Sequence, residues 1–305
     1  MNYLKTYLKG MAMGAADVVP GVSGGTIAFI TGILDQLLDS IKKITPGLAG
    51  MIKQQGIKAA FMHINGPFLV CVFGGILTSI LTLARVISYL LHSHPIPVWS
   101  FFFGLILISV WHMLKQVSGF SLGRLALFGC GVVFAWGITM LNPIALEMTY
   151  LNVFLGGCIA ITAMLLPGIS GSFILLLLGL YTSVVGAVKS FDIAIMATFL
   201  AGAVTGLLSF SHVLSLLLRK YHDATLVFLT GLMLGTLGKI WPWKETLSFR
   251  ENSKGELVPL DERVLSPFNY EHVTGEPSLL SAAVVAMLAG ILLVWGLERF
   301  AHKGR

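Results

Sequence analysis

The chain has 305 residues; 56% are Ala, Val, Ile, Leu, Met, Phe, Trp, Tyr or Cys, and only 11% are Asp, Glu, Lys or Arg. A soluble domain carries about 25% charged residues, so a soluble enzyme, a nucleic-acid module and a disordered chain are excluded in favour of an all-α polytopic membrane protein. The net charge of +6 then reports which side the loops face rather than a nucleic-acid footprint, because the basic residues form no stripe with interleaved aromatics.

Residues 1–9 alternate polar and apolar, with Tyr3, Leu4, Tyr7 and Leu8 on one helical face. They read as a short interfacial segment on the cytoplasmic surface. The apolar stretch 10–38 follows, broken by Pro20-Gly21-Val22-Ser23-Gly24-Gly25-Thr26. Proline removes a helical donor and glycine makes continuous helix costly. Half-helices of roughly 10–15 residues do not cross a bilayer alone. The expected shape is a re-entrant broken hairpin, whose irregular backbone must be buried or line a polar cavity. Three spans follow at 66–91, 97–114 and 124–141. The pattern then recurs: a stretch 155–188, broken at Pro167-Gly168-Ile169-Ser170-Gly171-Ser172, and spans at 193–218, 224–241 and 279–297. The loop 242–278 is the sizeable polar segment and is expected to be largely solvated. Cys71, Cys130 and Cys158 lie in apolar stretches and read as buried thiols, neither a disulfide framework nor a zinc site.

The recurrence is an internal repeat. Gly10, Ala16, Pro20, Gly21, Ser23, Gly24, Ile27 and Gly32 match Gly157, Ala163, Pro167, Gly168, Ser170, Gly171, Ile174 and Gly179, an offset of 147. Gly75, Val86, Ser88 and Gly104 match Gly202, Val213, Ser215 and Gly231, an offset of 127. Repeat 1 covers 10–141 and repeat 2 covers 150–297, within one integral membrane domain. Each half is a hairpin plus three transmembrane helices. An odd number of spans turns the second half over, giving an inverted-topology repeat, the architecture of many transporters. With residues 1–9 cytoplasmic, 13 of the 20 basic residues fall on cytoplasmic segments, and the acidic excess falls in the 242–278 loop outside.

At each break a half-helix begins with N–H groups that lack intrahelical acceptors and carry partial positive charge. Gly21, Gly24, Gly25, Gly168 and Gly171 allow close backbone approach, while Ser23, Thr26, Ser170 and Ser172 add hydroxyls. Two such ends facing each other suit an anion such as phosphate or carboxylate. The competing reading is that the motifs only pack two hairpin tips. Arg85 is a charge within an apolar span, where it normally faces a cavity or a partner, or snorkels to the interface. It is a candidate for a bidentate contact with an anion. The repeat places His212 at the equivalent position. Asp17, three residues before Pro20, is a candidate proton carrier or a local cap for the break. The histidines show no metal spacing, so no metal or cofactor is expected.

The stretch KGMAMGAADVVPGVSGGTIAFITGI, Lys9 to Ile33, resembles the signature of the bacterial polyprenyl-phosphate transporters called PopT, and ITAMLLPGISGSFILLLLGLY, Ile161 to Tyr181, fits as the second copy. The resemblance implies a flippase of the bacterial cytoplasmic (inner) membrane, not an enzyme. Its partner would be the lipid undecaprenyl phosphate, returned from the outer to the cytoplasmic leaflet for reuse in cell-wall and surface-polymer synthesis, with protons or another ion as coupling partner. The phosphate would sit at the paired breaks. The residues themselves leave a second reading open, an ion-coupled carrier of a small soluble anion. A phosphatase would need a nucleophilic His beside Arg or Lys at the water interface, and no such cluster is present in the sequence.

Overall fold

The computed structural model describes residues 2–19, 22–119, 121–141, 143–144, 146–251 and 257–302. It is mostly helical. The first broken stretch forms α1 (Tyr3–Val18), α2 (Gly24–Ile30) and α3 (Leu34–Ile41). After α4 (Gly47–His63) come α5 (Gly66–Ser93), α6 (Pro95–Lys115) and α7 (Leu122–Thr139). The second broken stretch forms α8 (Tyr150–Leu165), α9 (Gly171–Leu177) and α10 (Tyr181–Ser190), followed by α11 (Ile193–Lys220) and α12 (His222–Gly235), which runs into a 3-10 turn, Leu237–Ile240. Strands β1 (Lys244–Glu251) and β2 (Leu257–Val264), helix α13 (Pro267–Thr274) and helix α14 (Leu280–His302) complete the described chain. Among the described residues, five helices are long and apolar enough to cross a membrane, α5, α6, α7, α11 and α12 with its turn, and α9 with α10 forms one further pair bent by 109°.

The structure adds three features to the sequence reading. Residues 1–9 have no boundary of their own: α1 runs unbroken from Tyr3 to Val18, with the Asn2 side chain accepting the Lys5 N–H at 3.2 Å. The mostly helical architecture agrees with an all-α polytopic membrane protein, and within the loop expected to be solvated β1 and β2 pair antiparallel. That insert is anchored by its aromatics: Trp243 packs with Ile96, Tyr270 and Ala283, and its indole N–H donates to the Ser278 carbonyl at 2.8 Å. Trp241 donates to the Leu265 carbonyl at 2.9 Å and stacks edge-on against Phe103 and Trp243. Finally, each broken stretch carries a second bend, at Gly32 (φ 69°) and Gly179 (φ 72°), a left-handed conformation that glycine adopts without steric penalty. Both residues are among the repeat identities.

The helices pair through close backbone approach. A Cβ on Gly10 would meet the Val72 backbone, and one on Gly75 would lie 2.7 Å from the Met11 nitrogen, so α1 and α5 touch main chain to main chain. Gly157 and Gly206 bring α8 onto α11 in the same manner, with a Cβ on Gly206 2.7 Å from the Cys158 Cα. Gly104 and Gly290 join α6 to α14, and Gly131, Gly231 and Gly235 join α7 to α12. In apolar surroundings such packing replaces the hydrophobic drive between helices.

Polar groups gather at two ends of the bundle. At one, Arg219 pairs with Asp39 at 2.6 Å, Lys42 with Asp39 at 2.6 Å, and Arg124 with Asp223 at 2.8 Å. At the other lies the β-hairpin insert, against the start of α6. We expect Gly75→Val to cost about 1–3 kcal/mol by overpacking the α1–α5 contact. Gly50→Ala, where a Cβ has nothing within 4 Å, should leave the melting temperature in detergent at the wild-type value. Equal melting of both variants would remove the close-packing account.

Candidate functional site

The two breaks meet. Pro20 and Gly21 lie outside the described residues, but the rest of the first break is described and is held almost entirely by its own side chains. Ser23 caps α2, its hydroxyl oxygen accepting the Gly25 N–H at 3.1 Å. The same hydroxyl donates to the Met164 carbonyl at the end of α8, also at 3.1 Å. Asp17 Oδ1 accepts the Gly24 N–H at 2.6 Å. Thr26, fully buried, accepts the Gly168 N–H at 2.8 Å through Oγ1. The freed backbone donors expected to await an anion here already have one, the carboxylate of Asp17, and a hydroxyl.

The second break is built differently. Met164 stands where the repeat places Asp17 in the first half. Pro167 and Gly168 are buried, and Gly168 has φ 89°. Ser170 stands at the N-cap of α9 without capping it; its hydroxyl pairs with that of Ser172 at 2.9 Å. Gly171 is buried against α8, a Cβ there lying 2.6 Å from the Ala160 carbonyl oxygen, whereas Ser172 is exposed. No side-chain hydrogen bond caps the start of α9.

Arg85 and His212 are not brought to the breaks by any hydrogen bond or ion pair among the described residues. Both are exposed, on α5 and α11. Arg85 makes no polar contact there, and a His212 ring nitrogen bonds the Leu208 carbonyl of its own helix at 2.7 Å. Asp17 has the local capping role rather than an ion pair with Arg85.

The sequence reading missed Lys239. It lies on the 3-10 turn after α12, and the same turn places Thr236 Oγ1 2.8 Å from where a Cβ on Gly168 would be. The Lys239 ammonium sits 5.7 Å from the centroid of the Phe173 ring, directly after Ser172. Glu262 on β2 binds Lys239 at 3.2 Å and Lys244 at 3.0 Å. Burial alone would raise the Glu262 pKa, but the two ammoniums outweigh it and hold the carboxyl below its ordinary value. For Lys244 burial dominates and lowers the pKa, with Glu262 opposing. Sixty-six residues separate Lys239 from Phe173 in sequence (239 minus 173), and only the fold joins them. Among the described residues, no group of three His, Cys, Asp or Glu side chains is placed to hold a metal ion.

The family description "undecaprenyl phosphate translocase-like" matches residues 13–258. The chain belongs to this family. A polyprenyl-phosphate transporter of Vibrio cholerae serotype O1 is 65% identical over 303 residues, 99% of this chain and 98% of that protein. A polyprenyl-phosphate transporter of Staphylococcus aureus is 32% identical over 253 residues, covering 77% of this chain and 85% of that protein. No solved structure matches the chain. The family and both relatives are transporters and not enzymes, which agrees with the reading from the sequence. The family match spans both breaks, Arg85, His212 and Lys239.

The capping role of Asp17 is testable. Asp17→Leu leaves the buried Gly24 N–H without its acceptor, at a cost of about 1–3 kcal/mol. Asp17→Asn retains an acceptor oxygen and should cost less. Thermal melting of the three proteins in one detergent checks the order, and an Asp17→Leu variant that melts with wild type would contradict it.

Proposed function

We propose that the protein returns undecaprenyl phosphate from the outer to the cytoplasmic leaflet of the bacterial inner membrane, with its phosphate held where the two breaks meet. Family membership and the relatives named as polyprenyl-phosphate transporters support the substrate class. The observation that carries the site is the unequal state of the two breaks. The first has its donors taken by Asp17, Ser23 and the neighbouring chain, and the second retains an uncapped helix start with the Ser170 and Ser172 hydroxyls.

The physical problem is an anion in low dielectric, where desolvation costs several kcal/mol per ion unless new partners replace water. In this reading the N–H groups of Gly171 and Ser172 and the two serine hydroxyls supply those partners. Ser23, Gly24, Gly25, Thr26, Pro167 and Gly168 shape the meeting point and keep the opposite wall rigid. Arg85 meets the head group on its path: it lies in an apolar span and has no protein partner among the described residues, so its charge is available to a lipid phosphate. The polyprenyl tail stays in the bilayer. In this reading Asp17 and His212 are the candidate groups for coupling movement to protons.

The topology in this reading is an inverted repeat of two re-entrant hairpins, each followed by three spans. Its support is the exchange of packing partners. As α1 grips α5, α8 grips α11; as α6 grips α14, α12 grips α7. The N-terminus then faces the cytoplasm, with the basic end of the bundle, and the β-hairpin insert faces outward. Alternating exposure of the site follows from rocking one half against the other.

Flipping of fluorescent undecaprenyl phosphate in proteoliposomes tests the proposal. Wild type should move the lipid, and Ser170→Ala with Ser172→Ala should slow it by about tenfold or more, as expected for lost hydrogen bonds to a charged group. Arg85→Ala should also slow it. Folded wild-type protein that leaves the lipid in place but takes up inorganic phosphate would replace this function with that of a soluble-anion carrier.

A further inference from the structure

The β-hairpin insert brings two lysines to a single carboxylate beside the second break. Glu262 pairs with both Lys239 and Lys244, leaving one positive charge in excess. The neighbouring acids with described side chains are engaged elsewhere: Glu245 with Arg263 at 2.7 Å and Glu276 with the Tyr270 hydroxyl at 3.1 Å. The two lysines are not equivalent. The Lys244 side chain is 8% exposed, sits 4.5 Å from the Trp99 ring centroid and donates to the Lys239 carbonyl at 3.1 Å. It is fixed on all sides. The Lys239 side chain is 32% exposed and reaches toward Phe173, next to Ser172. A lysine is a point charge on a flexible stem with three donors, and it can change partners without moving its backbone.

We propose that Lys239 is the cation that receives a phosphate monoester at the second break, and that Glu262 holds it until the oxyanion arrives, then remains paired with Lys244. The inference rests on the transport reading for the source of the phosphate and assigns a specificity-determining residue to it. A phosphate monoester offers more negative charge and more acceptor oxygens than one carboxylate, so it competes well for a partly exposed ammonium. Because Glu262 belongs to the insert, the exchange releases the ion pair that ties β2 to the turn after α12, and the Lys244–Glu262 pair within the insert remains. The insert thereby responds to whether the site is filled.

The experiment is titration of the full-length protein in detergent with farnesyl phosphate, a short polyprenyl phosphate, and separately with inorganic phosphate, read by calorimetry. Lys239→Gln should weaken farnesyl phosphate binding by about tenfold or more, the range of a lost charge-assisted contact. Lys239→Arg should restore it to within about threefold. Glu262→Gln should tighten binding severalfold, because the competing carboxylate is gone. A purely structural ion pair would instead move Lys239→Gln and Glu262→Gln in the same direction. Melting of the unliganded variants establishes that they fold; should Lys239→Gln fail to fold, the tightening by Glu262→Gln and the rescue by arginine decide the matter. Wild-type binding that is unchanged in Lys239→Gln, or weakened in Glu262→Gln, overturns the inference alone. Wild-type protein that binds no farnesyl phosphate overturns the transport reading and the inference with it. Equal affinity for inorganic phosphate would keep Lys239 as an oxyanion residue and overturn the lipid as its source.

Discussion

A backbone N–H released from helix inside an apolar segment has no water to bond, and leaving it unpaired costs about as much as a buried polar group without a partner. The chain breaks its helices twice within apolar stretches, so the freed donors need partners. At the first break the sequence carries its own acceptors, Asp17 and Ser23, within seven residues of the donors they serve. The Ser23 and Thr26 hydroxyls then extend the arrangement to Met164 and Gly168 in the other half. The breaks are thus stitched to each other, and the position of one fixes the position of the other.

The glycine contacts complement this stitching. They bring α1 onto α5, α8 onto α11, α6 onto α14 and α7 onto α12 at main-chain distance. Helices in such contact cannot slide without backbone collision, because a packed interface has discrete arrangements and not a continuum. Movement during transport therefore belongs between these pairs and not within them. The salt bridge from Asp39 to Arg219 spans one such boundary, joining α3 to α11 at the basic end. The Glu262–Lys239 pairing spans another, joining the insert to the turn after α12.

The parts of this arrangement that were legible in the sequence are those with local causes. Proline and glycine inside apolar stretches mark the breaks, and hydropathy alone places the long helices. The Asp17 cap was legible because donor and acceptor are close in sequence. The second bends were written as the identity Gly32/Gly179 but had no proline to draw attention to them. The insert was missed because its strands are short and charged. The signal was present: two polar-apolar stretches flank Asn252, Lys254 and Gly255, residue types common in turns. The segment between the first broken stretch and the span at 66–91 carries α4, with a kink at Gly56 (φ 84°), which no strong hydropathy signal marks. Lys239 was out of reach, since nothing local ties a lysine at the end of one span to a serine motif far upstream. For Arg85 and His212 the repeat gave equivalent positions on α5 and α11, and equivalence in sequence does not place a side chain at a site.

The repeat also explains why a duplicated backbone need not carry two anion sites. Its offsets pair Asp17 with Met164, and Lys239 with His112. An acid therefore stands at the first break with no acidic counterpart at the second, while a permanent cation stands beside the second with only an imidazole as its equivalent. Asp17 supplies the first half-helix with negative charge from within the chain, which repels a further anion at that end. At the second break the donors stay uncapped and Lys239 adds positive charge. In the transport reading proposed above, these two unmatched charges would turn a symmetric scaffold into a single anion site with one preferred wall. Lys239 also ties the second break to the insert, where Glu262 competes for the same ammonium.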